Sequence, residues 1–249
     1  MAKAKPRVAF FDFAGCEGDQ LQIANLEETL LDLLEHIEIV AFREVKTGDN
    51  PPYDIAYIEG SITRPQDEAR VKEIRKQSTF LVALGACATI GGINCMKNFH
   101  SEAIYRTQVY GDRARWYDTY PARPVGAVVK VDAELHGCPI DRSEFLRVTK
   151  ELLLGKRPWI PDYPVCVECK EVGNICRYDL GRPCLGIVSR AGCNACCVTE
   201  GATCWACRGL APHANLDAAR YVMEDVGGFS REEARDLMRL YLGWTQAPL

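Results

Sequence analysis

The apolar and polar positions divide the first 155 residues into short apolar runs separated by longer amphipathic stretches. Residues 7–13, 37–42, 55–58, 80–84 and 125–131 are the apolar runs, rich in Val, Ile, Phe and Ala, and they predict five strands. Between them, residues 20–36 carry Leu21, Leu26, Leu30, Leu33 and Leu34 at helical spacing. Residues 66–77 put Val71 and Ile74 on one side, and residues 143–154 form another amphipathic helix. Strands alternating with helices predict an α/β fold, a mostly parallel sheet covered on both faces. In such sheets the chemistry collects in loops beyond the C-terminal ends of the strands.

The pattern changes after residue 155. Residues 155–164 hold Pro158, Pro161, Pro164 and Gly155, a stretch suited to a linker rather than a helix or strand. The chain is therefore expected to form two domains, residues 1–155 and 156–249. Helical spacing returns near the end, where Leu216, Ala219 and Met223 mark residues 214–226. Ser230 and Glu233 form a capping box that opens a helix over 231–242, with Gly243 as its stop.

Composition narrows the class. Hydrophobic residues are 47% and charged residues 26% of the 249, as in an ordinary globular protein with ample material for a core. The net charge of −4, without long runs of either sign, argues against nucleic acid or an anionic membrane as the main partner. The apolar run near the start is too short for a signal peptide, and no run of about 18 apolar residues occurs to span a membrane. The expected compartment is the cytoplasm, where cysteines stay reduced and more often bind metal or do redox chemistry.

Cysteine is the unusual feature. There are 13, an odd number that a full set of internal disulfides leaves unexplained. Three follow predicted strands: Cys16 after the first, Cys87 after the fourth and Cys138 after the fifth, each with glycine close by. Eight more make two groups of four in the second domain. One is Cys166, Cys169, Cys176 and Cys184, and the other is Cys193, Cys197, Cys204 and Cys207. Two C-x-x-C pairs, each completed by two further cysteines, suit zinc or iron–sulfur clusters, and spacing alone does not choose between them. Zinc leaves the three strand-end cysteines without a role, whereas clusters account for all three groups and can pass electrons.

These motifs together resemble the small, electron-transferring subunit of a soluble NiFe hydrogenase, of the sulfhydrogenase or NAD(P)-linked kind. The matching features are Cys16-x-Gly18, Ile58-Glu59-Gly60-Ser61, Gly85-Ala86-Cys87, Gly137-Cys138-Pro139 and the eight cysteines between 166 and 207. The resemblance implies a flavodoxin-like domain followed by a small, irregular iron–sulfur domain with short helices. It implies three clusters: a proximal one held by Cys16, Cys87 and Cys138, a medial one by Cys193, Cys197, Cys204 and Cys207, and a distal one by Cys166, Cys169, Cys176 and Cys184. Membrane-linked relatives have histidine at the position of Cys166 and proline near Cys197. Cysteine at both positions implies complete 4Fe–4S clusters here.

One position departs from the family. Its motif after the first strand is C-x-G-C, and this chain has Cys16-Glu17-Gly18-Asp19. Either Asp19 ligates iron through oxygen, or the site holds a three-iron cluster, or another group stands in. Asp19 is the favoured ligand, against a role as a cap on the following helix. Glu17 is expected to point elsewhere, Glu59 to bond near the cluster or cap a helix, and His136 to donate beside a ligand rather than to bind metal. Cys95 is expected to be structural, and Cys196 to yield to its neighbour Cys197. The chain lacks the paired C-x-x-C nickel motifs of a large subunit. The implied partners are therefore a NiFe large subunit and flavin- and iron–sulfur-containing subunits serving NAD(P). A complex-I-type subunit and a zinc-binding or redox-sensing interaction protein are the competing readings.

Overall fold

The computed structural model describes residues 4–245. Its centre is a five-stranded, wholly parallel sheet in the order β2-β1-β3-β4-β5, the flavodoxin-like order. Strand β1 (Arg7–Asp12) leads through α1 (Gly18–Ala24) and α2 (Glu28–Leu34) to β2 (Glu38–Phe42). Then come β3 (Tyr53–Glu59), α3 (Pro65–Lys76) and β4 (Ser78–Leu84). Next are α4 (Gly85–Ile90), a 3-10 segment (Gly92–Phe99), α5 (Glu102–Tyr110), β5 (Ala133–Leu135) and α6 (Arg142–Leu153).

Alternation along the strands supplies two cores. Val8 and Phe10 of β1, with Tyr57, Val82 and Leu84, pack under Ile23 and the α6 residues Phe145, Val148 and Leu152. Ala9 and Phe11 point the other way, with Ala56, Ile58, Leu81 and Ala83, against Val71 and Ile74 of α3. Phe10 stacks on Tyr57 with ring centroids 5.0 Å apart, and the buried Tyr57 hydroxyl pairs with Thr149 Oγ1 at 2.7 Å.

Two elements differ from the sequence reading. The helix expected over 20–36 is two helices, broken between Asn25 and Glu27. Arg142 of α6 donates to the Asn25 carbonyl at 3.1 Å and to Gln22 Oε1 at 2.7 Å, so the end of α1 has a partner outside the helix. The turn that follows sets Leu26 into the core. The fifth strand lies at Ala133–Leu135, not at 125–131, where Val125–Ala127 is a 3-10 turn flanked by Pro124. Val125 is buried from that turn with Val128, Val129 and Val131 half-buried beside it, and Asp132 accepts the Leu81 N–H at 2.9 Å just before pairing begins at Val82↔Ala133. The edge position explains why a three-residue strand containing Glu134 suffices.

Beyond residue 155 the chain runs without regular structure to α7 (Val165–Glu171), then through short turns to α8 (Cys196–Thr199) and α9 (Leu216–Tyr221). Helix α9 continues as a π-turn (Val222–Val226), and α10 (Arg231–Leu242) opens with the expected capping box: Glu233 N–H donates to Ser230 Oγ at 3.2 Å and Ser230 N–H to Glu233 Oε2 at 2.8 Å. Leu185, Val188, Ala206, Met223, Met238 and Leu242 form a third small core. Helix α10 also packs on the 3-10 segment Gly92–Phe99 and on α4, joining the C-terminal region to the sheet's C-terminal edge.

Candidate functional site

Cys16, Cys87 and Cys138 emerge at one edge of the sheet, in the loops or turns after β1, β4 and β5. The loops after β1 and β3 straddle the point where the strand order reverses, the position at which this fold binds ligands. Their backbones are in contact there. A Cβ at Gly60, where φ is +92°, would lie 2.7 Å from the Phe13 carbonyl carbon, so this crossing requires glycine.

Asp19 faces the same set. It lies within the first turn of α1 rather than at the cap, and capping falls to Glu59 at the end of β3. Glu59 accepts the Asp19 and Gln20 N–H groups at 3.2 and 3.0 Å. The Asp19 carboxylate is thereby free to turn inward, where its Oδ1 accepts the Ile140 N–H at 2.8 Å. Burial first, and the Glu59 carboxylate second, push Asp19 up to about 7, against the opposing Ile140 bond. Burial, then Cys138, Asp19 and Cys16, push the Cys87 thiol up to about 12, which reflects how closely these four groups gather. Glu17 turns away to Arg43, 2.8 Å distant.

The second group lines a cavity of about 300 Å³. Cys193, Cys197, Cys204 and Cys207 all border it, Cys196 stands beside Cys197, and Cys138 of the first group forms part of the same wall. Burial pushes Cys193 up to about 11 and Cys207 up to about 12, and the Cys138 backbone N–H facing Cys207 opposes the latter rise. In the third group, Cys166 and Cys169 lie one turn apart on α7. Burial and then Cys184, Cys169 and Cys176 push Cys166 up to about 11. The third group touches the second: the Cys204 N–H donates to Cys184 Sγ at 3.4 Å. Gly186 lies between them, since a Cβ there would meet Cys166 Sγ at 3.5 Å and Cys204 Cβ at 3.7 Å. All 13 cysteines are free thiols, and among the described residues no three His, Cys, Asp or Glu side chains converge on a single ion. The chemistry of the second set, four thiols around a cavity, fits a cluster ligated by thiolates.

A family model described as NADH ubiquinone oxidoreductase, 20 Kd subunit, matches residues 16–152. Sulfhydrogenase 2 subunit delta of Pyrococcus furiosus is 32% identical to this chain over 96% of its length and 100% of the relative's. A chain in the solved NAD+-reducing [NiFe]-hydrogenase is 28% identical, with a TM-score of 0.57, covering 64% of this chain and 96% of that one. The chain belongs to the NiFe-hydrogenase small-subunit family. It is accordingly part of an oxidoreductase complex acting on hydrogen. A further relative of this small subunit, from the F420-non-reducing hydrogenase vhu of Methanococcus voltae, is 30% identical over 82% of each chain. None of the described helices is long and apolar enough to cross a membrane.

The structure adds residues to the candidate site that motif reading passed over. Arg208, next to Cys207, is almost wholly buried and ties the loops together. It donates to the Ala191 carbonyl at 2.7 Å, the His136 carbonyl at 2.6 Å and Glu144 Oε1 at 3.0 Å. Tyr241 of α10 borders the cavity together with Cys138. The adjacency of Arg208 to a C-x-x-C pair was the only available signal for the first, and Tyr241 had none. Cys95 is buried away from the set, donating to the Ala122 carbonyl at 3.3 Å.

His136 is buried as a neutral ring. Burial, then Arg190 and Arg208, push it down to about 3 from an ordinary 6.5. The unfolded chain therefore binds this proton first, and the small subunit should lose stability as pH falls from 6.5 towards 3, by up to about 1.4 kcal/mol per pH unit. Urea unfolding between pH 7 and 4 checks the contribution. His136→Gln should flatten the slope, and an unaltered slope would remove His136 as its source.

Proposed function

We propose that this chain relays electrons between the nickel–iron centre of a partner large subunit and a flavin- and iron–sulfur-containing subunit serving NAD(P). Cys16, Cys87, Cys138 and Asp19 would hold a proximal cluster. Cys193, Cys197, Cys204 and Cys207 would hold a medial one, and Cys166, Cys169, Cys176 and Cys184 a distal one, all of the 4Fe–4S type. When bound, the clusters supply one-electron carriers. The protein's own residues set their spacing and surroundings.

The observation that carries this reading is the unbroken series of the three groups. Cys138 and Cys207 line one cavity, and the Cys204 N–H is bonded to Cys184 Sγ. A zinc protein has no need of such a series. We read residues 1–155 as the domain of the proximal site and 156–249 as that of the other two. Thirteen free thiols favour the cytoplasm, where they stay reduced. A large-subunit interface is supported by α5, none of whose residues is buried and which exposes Ile104 and Val109 close to exposed Met96 and Trp116. The choice of NAD(P) draws on the 28% identical chain of the NAD+-reducing [NiFe]-hydrogenase.

Metal analysis of the purified complex is the test. After subtraction of the partners' metal, the expected content is about twelve irons per chain with matching acid-labile sulfide. Two zincs without sulfide would sink the relay. Asp19→Cys should change the proximal electron paramagnetic resonance signal, and an unchanged signal would remove Asp19 from the ligand set.

A further inference from the structure

In Cys166-Val167-Glu168-Cys169 the motif accounts for the two thiols only, yet Glu168 between them is buried, at 6% exposure. Its Oε1 accepts the Gly192 N–H at 2.6 Å, one residue before Cys193. Its Oε2 is buried without a hydrogen-bond partner. Holding a half-satisfied carboxylate in the interior costs stability, so packing alone is a poor reason for it. The carbonyl of the same peptide unit, that of Ala191, accepts from Arg208 Nε at 2.7 Å. Arg208 in turn donates to the His136 carbonyl at 2.6 Å, two residues before Cys138. One peptide group is thus gripped on its N–H side by an acid from the third cysteine group, and on its carbonyl side by a base that reaches the first. A cationic donor on the carbonyl and an anionic acceptor on the N–H polarise the peptide in the same sense, so each bond strengthens the other. The fit is close, since a Cβ on Gly192 would strike the Arg208 guanidinium. Backbone bonds from Val165 N–H to the Ser189 carbonyl and from Ala191 N–H to the Tyr163 carbonyl, at 2.8 and 2.9 Å, bring the start of α7 alongside this segment. Glu168, a turn further along α7, makes the contact nearest Cys193.

We propose that Glu168 is a positioning residue that fixes the distal site against the medial one by holding the Ala191–Gly192 peptide just before Cys193. The inference rests on the cluster assignment above and deepens it. Ligand loops without regular structure keep their places only through bonds of this kind, and outer partners orient the ligands themselves. Electron tunnelling falls exponentially with the gap between carriers. A small drift of α7 from the medial loop therefore slows this one step and leaves the others alone.

The test uses the assembled hydrogenase carrying Glu168→Ala or Glu168→Gln. Glutamine keeps an oxygen for the Gly192 N–H, and alanine removes it. Iron and sulfide content of the wild-type complex is measured first, so that a failure of the cluster assignment is read separately from the variants. In Glu168→Ala, electron paramagnetic resonance should find a weaker spin–spin interaction between the reduced medial and distal clusters. Rapid freezing after mixing with hydrogen should show the distal signal growing in several-fold later than in the wild type. Hydrogen–deuterium exchange, which needs only the partner's nickel–iron centre, should be unchanged. Glu168→Gln should restore both the interaction and the timing. Loss of the distal signal in Glu168→Ala with its retention in Glu168→Gln would support the same role in a stronger form. A wild-type interaction and timing in Glu168→Ala, even with a lower melting temperature, would overturn the proposal. So would a Glu168→Gln variant no better than Glu168→Ala.

Discussion

Replacing Arg208 by methionine should destabilise the folded chain by about 3–5 kcal/mol, the cost of removing one partner from a buried ion pair. Arg208 and Glu144 side chains are 1% and 5% exposed, with Nη2 2.9 Å from Glu144 Oε2. Burial pushes the Glu144 carboxyl up, and Arg208 is the main influence holding it down. Without the guanidinium, the buried carboxylate keeps only the longer contact to Arg147, 3.7 Å away, or protonates. The same side chain supplies donors to the Ala191 and His136 carbonyls, which therefore lose their partners. Lysine keeps the charge but not the planar fork that reaches three acceptors, so Arg208→Lys should recover only part of the loss. Combining Arg208→Met with Glu144→Leu should recover more, since both charges then leave the interior together. Urea unfolding followed by circular dichroism measures all three variants. A cost below about 1 kcal/mol for Arg208→Met, in the range of an exposed pair, would contradict the clasp.

Gly85→Ala should abolish the proximal signal while leaving the other two clusters in place. Gly85 opens α4 with φ at +80°, and a Cβ there would fall inside the Asp19 carboxylate. Backbone strain for an L-residue in this region is about 1–2 kcal/mol. The collision adds about 1–3 kcal/mol if the surroundings shift. The shift itself matters more for function, because Asp19 must leave Ile140 N–H and the neighbourhood of Cys87. Electron paramagnetic resonance of the assembled complex reads the outcome directly. Gly85→Ala combined with Asp19→Gly relieves the collision. Recovery of stability without the proximal signal would separate the steric effect from the ligand's loss. A normal proximal signal in Gly85→Ala alone would mean that Asp19's present position is irrelevant to the site.

The candidate site was unevenly legible. Cys166–Cys169 and Cys204–Cys207 were readable because a C-x-x-C pair brings its thiols together within one turn of chain. Cys16, Cys87 and Cys138 were readable because strand ends of one parallel sheet share an edge. The vacancy at Asp19 was visible as a departure from the family motif, but its freedom from capping was not. That depended on Glu59, forty residues away, taking the helix N–H groups. The apolar run 125–131 mimics a strand because hydrophobicity marks burial: Val125 is buried from a 3-10 turn, and Val128 and Val131 pack half-buried beside it.

The sequence by itself determined the α/β alternation, the three cysteine groups, the aspartate at position 19 where the family motif has cysteine, and the capped C-terminal helix. All of these are written in local spacing, in periods of two or 3.6 residues or in motif intervals. Only the tertiary structure decided that the three groups stand in series, with Cys138 and Cys207 lining one cavity and Cys184 against Cys204. It alone brought Arg208 to Glu144, 64 positions away, and Tyr241 to the cavity that Cys138 borders. The contact of Cys184 with Cys204 spans less chain, but it depends on how a loop without regular structure folds back. No local pattern encodes such contacts. They arise because a sheet, an irregular cysteine-rich segment and a closing helix must bury their apolar faces against one another, and the groups near the chemistry are carried along.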